Sequence, residues 1–366
     1  MVVASKLPRG RGAQTNASGR VESQESVAFD DGWTGDDAKP RLLRTTMTAE
    51  TARVIITRND SPDIGFDRSI NPYRGCEHGC IYCYARPAHA YMGLSPGLDF
   101  ESKLFFKPGA GRLLAKELSK PTYSPGAIHI GGNTDPYQPQ ERSLRVTRQV
   151  LEVLAAFRHP ASVITKGALI TRDLDILGPM GKAGLMRAAV SITTLDRKLA
   201  RIMEPRAATP QRRLDTLRAL TDAGVPAMVM FAPVIPGLND HELEQVLKAA
   251  AEAGAISAGY VVLRLPLEIK DLFSEWLAAN LPDRAARVMS LVRQMRGGKD
   301  YDAQWGQRMK GQGPIAELIG QRFKIARRRF GLDRLTPPLD LGQFRVPPKA
   351  GDQLDMFGGL AGSFLK

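Results

Sequence analysis

Three cysteines stand in one short stretch, Cys76-Glu-His-Gly-Cys80-Ile-Tyr-Cys83, and the 366-residue chain has no others. Thiolates spaced C-x3-C-x2-C cannot form a sensible set of disulfides. They can close around a single iron–sulfur cluster and leave one iron without a protein ligand, open for chemistry. The other metal reading is a Cys3His zinc site completed by His78 or His89. Zinc sites usually pair C-x2-C knuckles, and the sequence has no second knuckle. The spacing therefore favours the cluster.

Such a loop needs a frame. From Leu104 onward, short β-rich runs alternate with helical stretches. Ala127–Ile130, Ser162–Thr165, Ala188–Ile192, Met228–Phe231 and Tyr260–Leu263 read as strands. Gln140–Phe157 reads as a helix, with Leu144, Val150, Leu151 and Leu154 at helical spacing. Thr209-Pro210 opens another helix and Gly224 ends it. Asp240 is expected to cap a helix that runs to about Glu252. Strands separated by helices pair in parallel through right-handed crossovers. About six such units predict an α/β fold, a partial barrel rather than a closed one. In these folds the site gathers at the C-terminal ends of the strands. There the chain carries Gly131-Gly132-Asn133-Thr134-Asp135, Thr165-Lys166, Ser191, Thr193-Thr194, and Pro233-Val-Ile-Pro-Gly-Leu-Asn-Asp240.

The loop Asn71-Pro-Tyr-Arg-Gly-Cys-Glu-His-Gly-Cys-Ile-Tyr-Cys-Tyr84 resembles the signature of the radical S-adenosylmethionine (radical SAM) superfamily. The matching positions are the three cysteines and the aromatic Tyr82 before the last of them. The resemblance covers roughly Ser69 to Pro266 and implies a partial (β/α)6 radical SAM barrel. It implies two cofactors, a [4Fe–4S] cluster on Cys76, Cys80 and Cys83, and SAM chelating the open iron. It also implies roles at the rim. Gly131 and Gly132 stand where the family binds the SAM amino group, and Thr134 or Asp135 replaces the usual Glu. Lys166 is placed to meet the SAM carboxylate, and Ser191 and Thr193 the ribose. Ile235 and Gly237 belong to a segment that packs along adenine, and Tyr82 flanks the adenine. Within the superfamily the chain is most similar to bacterial proteins grouped with spore photoproduct lyase, through Tyr84, the Thr134-Asp135-Pro136-Tyr137 stretch and the basic balance. That group implies lyase chemistry on a DNA lesion. It also implies a further cysteine as hydrogen donor, which this chain lacks, so Tyr137 is the candidate donor.

Composition narrows the setting. Net charge is +13, and Arg284–Arg334 alone holds thirteen Lys/Arg against four Asp/Glu. Such charge favours an anionic partner, nucleic acid above all, with DNA preferred and RNA or a peptide as the rival substrates. A non-enzymatic, zinc-dependent nucleic-acid-binding module is the rival class. Tyr301, Trp305 and Arg327–Arg329 supply aromatic and cationic groups suited to bases and phosphates. No apolar run is long enough to span a bilayer. Met1–Gly12 lacks a secretory core, so a cytoplasmic setting with an external electron donor is expected. Residues 1–45 read as disordered, 46–275 as the radical SAM core, 276–335 as a basic helical extension packed through Ile315, Leu318, Ile319 and Phe323, and 336–366 as a flexible tail. In that tail, Gln353-Leu354-Asp355-Met356-Phe357 resembles the peptide that bacterial repair proteins insert into the sliding clamp.

Overall fold

The computed structural model describes residues 10–22, 43–334 and 336–348. Six parallel strands form the scaffold: β1 (Arg68–Ile70), β2 (Ile128–Ile130), β3 (Ala161–Thr165), β4 (Met186–Ser191), β5 (Ala227–Val234) and β6 (Ser257–Val262). They lie in chain order across one sheet, and an antiparallel strand, Ile56–Arg58, closes the β1 edge. Crossovers run through α1 (Ala110–Leu118), α2 (Val146–Ala156), α3 (Leu174–Lys182), α4 (Pro210–Asp222) and α5 (Leu243–Glu252). Alternate strand residues such as Ile128, Ile130, Val163, Val229 and Phe231 are fully buried and meet the apolar stripes of these helices. The partners on the same strands, His129, Ser162 and Arg187, share one row on the other face. All five predicted strands are present, and the order is that of a partial (β/α)6 barrel.

After β6 come α6 (Ile269–Asn280), α7 (Pro282–Gln294) and α8 (Gly313–Arg329). The expected boundary at 275/276 falls inside α6. The extension is also stitched to β6: the Val262 amide donates to Met309 O at 2.9 Å, and Arg296 Nη2 reaches Leu263 O at 2.8 Å. On α8, Ala316, Ile319 and Phe323 are buried, and Phe323 packs on Tyr260 with ring centroids 4.5 Å apart. Leu318 is instead 56% exposed, a correction to its expected place in the core. Arg327, Arg328 and Arg329 occupy the last turn, where cations complement the helix dipole.

Other expectations also change. The helix predicted from Gln140 is two pieces, Glu141–Leu144 and α2, broken at Arg145, which adopts φ 53°. Asp240 does not cap α5; its carboxylate accepts the Gly237 amide at 2.8 Å and closes the preceding turn. Residues 10–22 lie against the cysteine loop and the helix that follows it, through bonds to Glu101, Asp99 and Arg206. Residues 336–348 lack helix or strand yet are docked: the Arg345 amide donates to Phe157 O at 3.0 Å, and Phe344 packs among Tyr123, Phe157 and His159. Gln353–Phe357 lie outside the described residues. No helix among the described residues is long and apolar enough to cross a membrane.

Candidate active site

The cysteine loop grows out of a second small sheet. Tyr73–Arg74 pairs antiparallel with Lys103–Phe106, which pairs parallel with Thr46–Ala49. Gly75 then turns with φ 72°. A Cβ there would lie 2.6 Å from Leu104 and 2.8 Å from Phe100 O, so only glycine fits. The Cys76 amide donates to Phe100 O at 3.0 Å, and tight turns link Gly79 to Cys76 and Cys83 to Cys80. Gln138 braces the loop from the rim, accepting from the Glu77 amide at 2.9 Å and donating to Gly75 O at 3.2 Å.

Cys76 and Cys80 are buried and Cys83 is half-buried. Burial pushes the Cys76 thiol up, with Asp135 and the other two thiols adding to the shift. Burial and Glu204 push Cys80 up to about 12, against the pull of Lys166 and Arg213. The thiols thus sense one another electrostatically. Among the described residues, however, no three His, Cys, Asp or Glu side chains converge closely enough for one metal ion. Three cysteine thiols in one loop are the donor set that a [4Fe–4S] cluster would take, with one iron left to a further ligand. The two candidate zinc histidines have other partners: His78 Nδ1 stands 3.3 Å from Asp135, and His89 Nε2 is 3.0 Å from Lys103 O. Lys166, Arg213 and Arg86 supply positive charge that favours ionised sulfur.

The rim loops do meet this loop. Gly131 has φ 91°, and a Cβ there would strike Pro136 at 2.6 Å. The Gly132 carbonyl accepts the Tyr84 hydroxyl. The neighbouring side chains are braces rather than open ligands. Thr134, buried, donates to Tyr73 O at 2.8 Å. Asp135 accepts from the Thr165 hydroxyl at 2.6 Å, the Lys166 amide at 2.7 Å and the Tyr137 amide at 2.9 Å. Burial alone would raise the Asp135 carboxyl; His78 and these donors outweigh it and hold it at about 2. The Lys166 Nζ lies 5.7 Å from the centre of the Tyr82 ring. Burial opposes the Lys166 charge, but Cys80, Glu204 and Asp135 prevail and keep it above its ordinary value. A cation so held beside Cys80 suits a carboxylate ligand.

A buried network that sequence spacing did not reveal lies behind these groups. Glu204 and Arg213, both buried, form an ion pair, and Glu204 accepts the Tyr82 phenol and the Thr193 hydroxyl, the latter at 2.6 Å. Arg213 also donates to Ser191 O at 3.0 Å. The Tyr82 and Thr193 hydroxyls stand 3.2 Å apart, and the side chain of Ser191 is buried. Burial would raise the Glu204 carboxyl, yet Arg213 and Lys166 hold it at about 2. Ile235 is fully buried in one apolar cluster with Cys80 and Tyr82. Gly237 turns with φ 75°. Asn239, also missed, is fully buried and ties this loop to the next: it accepts the Ile235 amide at 2.6 Å and donates to Thr193 O at 2.7 Å. The only prior signal was its place between Gly237 and Asp240.

The structure places Tyr137 out of contact with solvent. Its side chain lies in the main apolar core, 1% exposed, where burial and the nearby Asp173 and Glu141 carboxylates push its phenol up. Tyr84, next after the third cysteine, is by contrast 48% exposed, with the Arg264 guanidinium 5.4 Å above its ring. Arg264 in turn donates to the Tyr301 hydroxyl at 3.3 Å. Trp305 is exposed on the same extension, which Arg308 anchors to Asp63 at 2.5 Å.

Residues 70–250 match the sequence model of the Radical SAM superfamily. An uncharacterized protein of Mycobacterium tuberculosis is 36% identical over 230 residues, covering 62% of this chain and 68% of that protein. One from Methanocaldococcus jannaschii is 26% identical over 214 residues, 58% of this chain and 76% of that protein. Among solved structures, a spore photoproduct lyase variant superposes with TM-score 0.55 at 15% identity, covering 82% of this chain and 85% of the other. Another variant, solved with bound AdoMet and dinucleoside spore photoproduct, gives TM-score 0.55 at 14% identity over 78% of this chain and 79% of the other.

Proposed function

We propose that this chain, which belongs to the radical SAM superfamily, directs its chemistry at nucleic acid, with DNA the favoured polymer and a lesion lyase the favoured activity. Its cofactors are a [4Fe–4S] cluster and SAM. When bound, they supply a 5′-deoxyadenosyl radical that takes a hydrogen atom from substrate. Cys76, Cys80 and Cys83 hold the cluster. The Gly131-Gly132 backbone and the Lys166 ammonium receive the amino-acid end of SAM. Ile235 and Gly237 wall the nucleoside, with Tyr82 held at its edge by Glu204.

The observation that carries the nucleic-acid reading is the pairing of Tyr84 with Arg264. Tyr84 follows the third cysteine directly, stays half exposed, and is covered on one face by Arg264. An exposed ring beside a guanidinium suits base stacking and phosphate contact together. The spore photoproduct lyase likeness supports the same reading, since one of those structures holds a dinucleoside photoproduct.

The test is anaerobic. Reconstituted protein with dithionite and SAM is offered ultraviolet-damaged DNA, RNA or a peptide pool. The reading expects 5′-deoxyadenosine release above background with damaged DNA, whereas stimulation by peptide alone would overturn it. We assign a sliding clamp as a further partner, through the sequence Gln353-Leu354-Asp355-Met356-Phe357. Deleting 353–357 should abolish clamp capture in a pull-down, and equal capture would end that assignment.

A further inference from the structure

The segment that precedes the barrel by some fifty residues is built into the cysteine loop. Gly12 and Ala13 donate their amides to the two carboxylate oxygens of Glu101, at 2.9 and 2.8 Å. Arg11 Nη1 donates to the Glu101 carbonyl at 2.6 Å. Glu101 is fully buried and paired with Arg86, also fully buried, at 2.5 Å. Arg86 spends its remaining donors on the loop: Nε on Cys80 O at 2.9 Å, Nη2 on Gly79 O at 3.2 Å, and Nη1 on the carbonyls of Pro96 and Gly97 at 3.0 Å. From the other side, Arg206 donates to Gly10 O at 3.0 Å and pairs with Glu77 of the cysteine loop.

Backbone meets backbone here without side chains between. A Cβ on Gly12 would stand 1.9 Å from Gly79 O, and one on Gly79 would stand 2.6 Å from the Glu101 carboxylate. No side chain larger than hydrogen fits between the two stretches of chain. Ala13, fully buried, then joins the apolar cluster of Cys80, Ile81 and Tyr82. Farther along, the contact is kept by Leu98 N to Thr15 O at 3.2 Å, paired bonds between Asn16 and Asp99, and Arg20 to Glu268 at 2.7 Å.

We infer that residues 10–20 are a strap that positions the cluster loop, with Gly12 and Ala13 completing the Glu101–Arg86 pair that grips Cys80. The physical reason is the buried charge. A carboxylate removed from water needs its lone pairs filled, and Arg86 alone leaves part of Glu101 unsatisfied. The strap amides fill them. With the strap in place, Arg86 is locked and the Gly79 and Cys80 carbonyls are fixed, so the thiol of Cys80 stays at its cluster position. Without it, water enters beside Cys80 and the loop loosens, while the six-stranded sheet stands on its own core. Gly12 and Ala13 are positioning residues; they touch the loop, not the substrate.

The experiment compares full-length protein, Gly12→Val and a deletion of residues 1–22, all reconstituted anaerobically. Iron loss to a ferrous chelator is followed by absorbance and the cluster by its electron paramagnetic resonance signal, with unfolding of the apo proteins by urea measured alongside. The strap predicts chelator-driven iron loss at least about tenfold faster in both variants, or failure to load iron, with apo unfolding of Gly12→Val close to the parent. Equal rates of loss in parent and Gly12→Val would overturn it. If the deletion fails to fold, Gly12→Val decides alone. If the parent itself holds no iron, the cluster assignment falls first, which separates the two failures.

Discussion

Glu204 shows how far single side chains carry this site. It is a buried carboxylate paired with the buried Arg213, and it orients both Tyr82 and Thr193. Removing one partner of such a pair leaves an uncompensated buried charge and costs about 3–5 kcal/mol. Glu204→Ala should lower the urea midpoint accordingly, whereas Glu204→Gln, which keeps an acceptor for Tyr82 and Thr193, should cost less. A change under about 1 kcal/mol in both would show that the network is not structural. The same residues predict the response to acid. The folded carboxyls of Asp135 and Glu204 sit at about 2, below their ordinary values of 3.8 and 4.5. A depressed carboxyl stabilises the fold above its unfolded value, and that contribution is lost as pH falls through the folded one, on the order of 2–3 kcal/mol each. Two histidines act earlier. Burial lowers His129 and His159 to about 4 from 6.5. A base held neutral stabilises above its unfolded value, so this contribution is lost as pH falls from 6.5 towards 4. Urea unfolding from pH 8 to 3 should therefore show a first decline between pH 6.5 and 4 and a second, steeper one below 4.5. A midpoint flat between pH 7 and 4.5 would contradict the histidine assignments.

At the scale of elements, the strands were legible because their apolar runs are long enough to read. β1 was not: Arg68-Ser-Ile70 is three residues with a charged start, and its pairing with β2 on one side and Ile56–Arg58 on the other makes it a strand. Arg145 lay within a helical pattern and Asp240 at the expected start of one, and the turns they make depend on backbone conformation that periodicity does not encode. The strap was hidden for a different reason. Its composition is polar because its partners are backbone amides and a distant buried Glu, and such contacts leave no apolar signature. Rim glycines and cysteines were legible from spacing, whereas Glu204, Arg213 and Asn239 act across sequence separations that a pattern cannot show. The extension offers a prediction at this scale. On α8, Phe323 is buried against Tyr260, while Arg327–Arg329 close its last turn. Phe323→Ala should cost about 3–5 kcal/mol of stability. Replacing the three arginines by alanine should cost only about 1–3 kcal/mol, the loss of their helix-dipole contacts, and weaken DNA binding at low salt. The salt slope should fall by about one for each phosphate that is no longer neutralised. Unchanged affinity and slope in fluorescence anisotropy would remove α8 from the binding face.

At the scale of the whole molecule, two regions of the chain meet at Tyr84. The cysteine loop carries Tyr84, Arg264 after β6 lies over that ring and donates to Tyr301 of the C-terminal extension, and Arg308 ties the extension to Asp63. Tyr84→Ala should therefore separate the two halves of the reaction. Background cleavage of SAM should persist, and the stimulation by damaged DNA should fall about tenfold or more. Loss of both together would place Tyr84 with the cofactors instead. Beneath this lies the claim that three sulfurs hold an iron cluster open to SAM. It is tested most directly by reconstituting the parent protein and Cys80→Ala without oxygen, then measuring iron, sulfide and 5′-deoxyadenosine after dithionite and SAM are added. The account predicts a brown parent with about four irons and four sulfides that releases 5′-deoxyadenosine, and a Cys80→Ala protein that releases none. A colourless parent carrying one zinc, or cleavage that survives in Cys80→Ala, would contradict it.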